Sequence, residues 1–172
     1  SIIFLSEDLL LEENPSDKQE IQRIFSLAES SLENMREIIW AMDTGKNTLQ
    51  DLSIRLRTLA TDLLTDNKTP FELDFPAFSS EEYVLGGECR RNIYLIAKEA
   101  LHNTIKHAKA SLVKVSLQLD GHQIVLEIQD NGKGFDERAL ASSGNGLYNM
   151  RGRAAAINGL LEITSSLKAG TL

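Results

Sequence analysis

Apolar positions recur at steps of three and four through residues 21–42: Ile21, Ile24, Phe25, Ala28, Leu32, Met35, Ile38, Ile39 and Met42. That spacing puts them on one stripe of an α-helix, here about six turns long. A stripe of that length must be buried against something. Ahead of it, Ile2, Ile3, Leu5, Leu9 and Leu10 predict a shorter helix over residues 1–13. Asn14-Pro15-Ser16-Asp17 separates the two, with Pro15 ending the first helix and Ser16 capping the second. The expected partner of the long stripe is the short arm together with a second copy of the chain.

The pattern then changes. Asp43-Thr-Gly45-Lys-Asn47 closes the long helix. Thr48 starts another, with Leu49, Leu52, Leu56, Leu59, Ala60 and Leu63 on one face. After a turn at 66–70, Phe71, Leu73 and Phe75 alternate with Glu72 and Asp74, as in a half-buried strand. Ser79-Ser80-Glu81-Glu82 reads as a helix start, interrupted by Gly86-Gly87. The main helix is predicted over residues 88–107. Two alternating runs, 112–119 and 123–129, are joined by Asp120-Gly121-His122, a hairpin signal. A loop carrying Gly132, Gly134, Gly144 and Gly146 follows, then a helix over 146–157 and a turn at Asn158-Gly159. Residues 160–165 read as a strand, and Gly170-Thr171 opens one more. The predicted class is α+β: a helical hairpin over 1–45, then over 46–172 a two-layer α/β sandwich with helices on one face of a mixed sheet.

Composition narrows the functions. The 172 residues suffice for one domain and an extra element. A net charge of −7, from 18 basic and 25 acidic residues, argues against direct nucleic-acid or anionic-membrane binding. The single cysteine, Cys89, excludes a disulfide within the chain and fits a reducing compartment. No apolar run approaches the roughly 18 residues of a membrane span. The opening Ser1-Ile-Ile-Phe-Leu is no signal peptide. A start at serine and an end just after Gly170-Thr171 are expected of a piece cut from a longer chain, here one lacking a further C-terminal strand.

Chemistry concentrates in four short motifs. The first is Glu99-Ala-Leu-His-Asn103-Thr-Ile-Lys106-His107. At 3.6 residues per turn, Glu99, Asn103 and Lys106 share one face, opposite Ile93, Ala97, Ala100, Leu101 and Ala108. Asn103 offers a neutral oxygen to a magnesium ion that keeps several waters. Lys106 is a point charge for phosphate oxygens. Glu99 could hold a magnesium-bound water or act as a base. The plain alternative is a solvated polar helix face. The second motif is Asp130-Asn-Gly132-Lys-Gly134-Phe, at the end of a strand. Asp130 could accept from the exocyclic amine of adenine, and the glycines would let backbone approach a flat base. Its plain alternative is a turn. The third, Gly144-Asn-Gly146-Leu-Tyr-Asn-Met150, puts glycines at a helix N-terminus, where free amides could hold phosphate. The fourth, Gly170-Thr171, adds a hydroxyl near the base.

Taken in order, these motifs resemble the N-box, G1, G2 and G3 elements of sensor histidine kinases, within the wider ATPase group of gyrase, Hsp90 and MutL. The resemblance covers most of residues 46–172 and implies a Bergerat-type sandwich binding ATP and Mg2+. It assigns Glu99, Asn103, Lys106 and His107 to the N-box, Asp130, Gly132 and Gly134 to G1, Gly144 and Gly146 to G2, and Gly170 and Thr171 to G3. By resemblance Asp130 reads adenine, Asn103 holds magnesium, and residues 137–143 form a short lid, like that of the subfamily pairing with helix-turn-helix response regulators. Met35–Asp43, with Trp40, resembles the end of that subfamily's second dimerisation helix, though Trp40 could equally be a core aromatic.

One departure stands out. His102, His107 and His122 are the histidines of this chain, and none is followed by Asp or Glu as the family's phosphoacceptor is. The acceptor is expected upstream of Ser1, so the chain should bind ATP without phosphorylating itself. His102 stands where the family often has another polar residue. The resemblance implies a homodimer through the N-terminal helices, a response regulator receiver domain as partner, a cytoplasmic location for this region, and a full-length protein that could be anchored in the bacterial inner membrane. Two other readings stay open: a serine kinase of the anti-sigma type, and a non-catalytic dimeric nucleotide-binding module.

Overall fold

The computed structural model describes residues 15–42, 47–78, 83–135 and 146–172. The helix expected over 1–13, the closing turn at 43–46, the helix start at 79–82, the lid at 137–143 and Gly144 lie outside these residues. The chain forms two compact units, Ser1–Met42 and Asp43–Leu172.

In the first unit, helix α1 runs from Pro15 to Met42, 28 residues. It begins at Pro15 itself rather than after a Ser16 cap. Proline suits a first helical position, because its missing N–H would have no partner there and its φ is already helical. The predicted stripe is present and open. Ile24, Leu32, Met35, Ile38 and Ile39 are all exposed, whereas Trp40 is buried.

The second unit opens with α2, Leu49–Asp66. Thr48 caps it through a reciprocal pair. The Asp51 N–H donates to Thr48 Oγ1, and the Thr48 N–H donates to Asp51 Oδ2, both at 3.1 Å. Two otherwise orphaned donors are thereby satisfied. Thr48→Ala should cost about 1 kcal/mol, read as a lower urea midpoint with an unchanged slope. An unmoved midpoint would mean the cap contributes nothing. Thr48 also bridges Val84, with Leu49 N–H donating to the Tyr83 carbonyl and Leu85 N–H to that of Asn47.

Strand β1 (Phe71–Asp74) lies parallel to β2 (Val113–Asp120), which forms an antiparallel hairpin with β3 (Gln123–Asp130). Between β1 and β2 comes α3, Gly87–Asn103, which continues into a single wider π turn, Thr104–Ala108. After β3 come α4 (Gly146–Ala156), β4 (Ser165–Ser166) and β5 (Gly170–Thr171). The sheet order is β1-β2-β3-β5-β4, a mixed sheet. The two-residue hairpin loop places Gly121 at φ +59°, a conformation that glycine adopts without strain.

Helices cover one face of this sheet. Leu49, Leu52, Leu56, Ala60 and Leu64 from α2, Tyr94, Ala97 and Leu101 from α3, Met150 and Ala154 from α4, and Val113, Val115 and Leu117 from β2 are all buried. Ile93 and Ala100, expected among them, are only half-buried. The opposite face carries Lys114, Ser116, Gln118, Glu127 and Gln129. There Lys114 and Glu72 pair at 2.8 Å, an exposed contact of little energetic weight. The strand expected over 160–165 shrinks to Ser165–Ser166. Its ladder extends one step further back, where Thr164 and Leu172 exchange backbone hydrogen bonds at 2.7 and 2.9 Å.

Candidate functional site

Strand alternation decides where Asp130 lies. It shares a face of β3 with Ile124, Leu126 and Ile128, the face under the helices. At the end of that row it is 5% exposed. A carboxylate there needs hydrogen bonds. Oδ1 accepts the Gly132 N–H at 2.8 Å, closing an Asx turn that fixes the carboxylate.

Three glycines let backbone close around it. A Cβ on Gly132 would run into the Ala108 carbonyl, whose oxygen accepts the Lys133 N–H at 2.8 Å. Gly134, at φ +58°, faces the Ser166 carbonyl, and Gly170, at φ +81°, faces the carbonyl of Asp130. Thr171 lies opposite Asp130 in the β3–β5 register. The second and fourth motifs therefore meet at one end of the sheet.

The first and third motifs meet as well. A Cβ on Gly146 would run into Oε1 of Glu99 and lie 3.7 Å from Nδ2 of Asn103. The first turn of α4, whose amides have no partner within the helix, thus stands beside a carboxylate and a carboxamide. This donor set fits a triphosphate with magnesium: helix-end amides for phosphate oxygens, and a neutral oxygen with one carboxylate for an ion that keeps its waters.

The helix predicted over 88–107 changes character at Lys106 and His107. Both are exposed and lie in the π turn. A π turn has more residues per turn than an α-helix, so the 3.6-residue spacing does not carry through to Lys106. His102 is half-buried. Burial lowers its pKa from the ordinary 6.5, and the positive charges of Lys106 and Lys98 lower it further against the opposing pull of Glu99. Burial also raises the pKa of the Cys89 thiol, which disfavours a reactive thiolate.

Sequence reasoning missed two residues. Asn131 Oδ1 accepts the Ser111 and Leu112 N–H groups, both at 2.9 Å, and its Nδ2 donates to Ser111 Oγ at 2.9 Å. It ties the entry of β2 to the exit of β3. Ser165 contacts Phe135, Gly170 and Thr171. Asn131 was visible only as a turn residue, and Ser165 only as the last residue of a predicted strand.

Comparison with known proteins agrees with this geometry. Residues 89–172 match the family described as histidine kinase-, DNA gyrase B-, and HSP90-like ATPase. The chain is 32% identical to the signal transduction histidine-protein kinase/phosphatase DegS of Brevibacillus brevis, over 89% of this chain and 39% of that protein. It is 26% identical to the sensor histidine kinase LiaS of Bacillus subtilis, over 88% of this chain and 44% of that one. It thus spans less than half the length of these relatives. The histidine kinase AdeS of Acinetobacter baumannii has the same fold, with a TM-score of 0.61 at 16% identity over 98% of this chain and 91% of that chain.

Residues 89–172 are therefore an ATP-binding domain of the histidine kinase, gyrase and HSP90-like ATPases. Within that group, the relatives DegS and LiaS that the chain resembles are sensor histidine kinases.

Proposed function

We propose that the full-length protein uses this domain to transfer the γ-phosphoryl group of ATP to a histidine other than His102, His107 and His122, and from there to an aspartate of a response regulator receiver domain. The observation that carries the reading is the convergence of Glu99 and Asn103 on Gly146 at the head of α4, with Asp130 and Thr171 at the base end. Asp130 accepts from adenine, and Gly132 and Gly134 let backbone close on the ring. The amides of the first turn of α4, from Gly146 on, bind phosphate oxygens, with Gly144 leading into them. Lys106 and His107 would add charge or hydrogen bonds at the phosphates. Glu99 stands ready to take or orient a proton. Magnesium, bound through Asn103 Oδ1, would neutralise phosphate charge. Catalysis of this kind is positioning and electrostatics.

Residues 1–45 are a part of the dimerisation hairpin and 46–172 the catalytic domain. The exposed apolar stripe of α1 supports a homodimer through this segment, since a lone helix cannot bury it. No described helix is long and apolar enough to cross a membrane. This region would work in the cytoplasm, with any inner-membrane anchor elsewhere in the protein. The anti-sigma reading and the non-catalytic reading are not favoured, because the named relatives are sensor kinases.

Asn103→Ala tests the magnesium assignment. The dissociation constant for ATP should rise in the presence of magnesium and stay nearly unchanged in its absence. Equal shifts under both conditions would remove Asn103 as the ligand.

A further inference from the structure

Four exposed lysines succeed one another along the backbone segments that frame the site. Lys106 comes shortly after Asn103, at the phosphate end, and Lys109 stands just past the π turn. Backbone hydrogen bonds then carry the series across to the base end. The Lys133 N–H donates to the Ala108 carbonyl at 2.8 Å, and the Lys168 N–H donates to the Lys133 carbonyl at 2.7 Å. Lys133 sits between Gly132 and Gly134, and Lys168 in the turn between β4 and β5. Among the described residues, none of the four lysines forms an ion pair.

The setting is otherwise hostile to an anion. The chain carries a net charge of −7, and the site itself holds the carboxylates of Glu99 and Asp130. Uniform charge of that sign would repel ATP on approach. A run of the opposite charge around a cleft reverses the local field and speeds encounter. We propose that Lys109, Lys133 and Lys168 extend the charge of Lys106 into an electrostatic guide, which draws the anionic nucleotide to the site and acts on its arrival rather than its retention. The inference rests on the reading of this site as an ATP pocket. Lysine suits the task, because its ammonium is a point charge on a flexible stem and needs no fixed contact geometry.

The test is stopped-flow mixing of this chain with ATP carrying a fluorophore on its ribose, with magnesium in excess. Salt is raised from about 10 mM to about 1 M, which shortens the screening length from roughly 30 to 3 Å. In the unmodified chain the association rate should fall as salt rises. The net negative charge acting alone would make it rise, so a flat or rising rate overturns the proposal. Lys109→Asn, Lys133→Gln and Lys168→Asn together remove the guide. Asparagine tolerates the φ of +53° and +66° at its two positions. At low salt the triple variant should associate roughly tenfold more slowly with an unchanged dissociation rate, and the gap should close at high salt. A faster dissociation rate, or a gap that persists at high salt, would mean direct contact or a damaged fold and refutes the guide. Should the triple variant not fold, the sign of the salt dependence in the unmodified chain decides. Absence of any binding by the unmodified chain sinks the pocket reading itself.

Discussion

Asp130→Asn should weaken ATP binding on the order of a hundredfold, the scale of losing a hydrogen bond to a charged acceptor in a buried site. The side chain is 5% exposed, so water offers little compensation. Oδ1 is already occupied by the Gly132 N–H at 2.8 Å, and asparagine can keep that bond. The turn should therefore survive. The other oxygen becomes an amide NH2, which puts a donor against the donor of adenine. The fold is expected to stay intact, so circular dichroism should be unchanged while affinity collapses. Unaltered affinity would mean that Asp130 does not read the base.

Gly170→Ala should act on stability and on the site together. At φ +81° the new Cβ is strained, and it would meet the Asp130 carbonyl, a backbone atom that cannot step aside. Strain and overpacking together suggest a loss of about 3 kcal/mol. For a unit of this size that lowers the melting temperature by roughly 10 °C. ATP binding should fall as well, because the displaced atom belongs to Asp130. Gly152→Ala in α4 gives the contrast. Nothing lies within 4 Å of its Cβ and its φ is ordinary, so alanine should stabilise by about 0.5–1 kcal/mol. Equal melting temperatures for the two variants would contradict this account of the glycines.

The local features of this fold were the legible ones. Thr48 and Asp51 sit three apart just before an apolar run, so the cap and its helix follow from sequence. Asp120-Gly121 between two alternating runs announced the hairpin, and strand parity then put Asp130 on the covered face. The π turn at Thr104–Ala108 was not legible. Whether a helix closes its hydrogen bonds one residue wider depends on what packs around it, and Ala108 must present its carbonyl to the loop at Gly132 and Lys133. The strand over 160–165 was overdrawn because alternation alone does not supply a partner. Only Thr164 to Ser166 find one, on a short edge. Ser165 escaped notice for a related reason: its bond to Phe135 spans thirty residues of sequence. At the phosphate end, the two motifs that hold Glu99 and Asn103 and, separately, Gly146 are visible in the sequence. Their meeting needed the packing of α4 against α3.

The most direct test of the central claim is calorimetric titration of this chain with ATP and magnesium. The account predicts one site per chain, a dissociation constant in the micromolar range, and a clear preference over GTP. No measurable heat at millimolar nucleotide, or GTP bound as tightly as ATP, would contradict it.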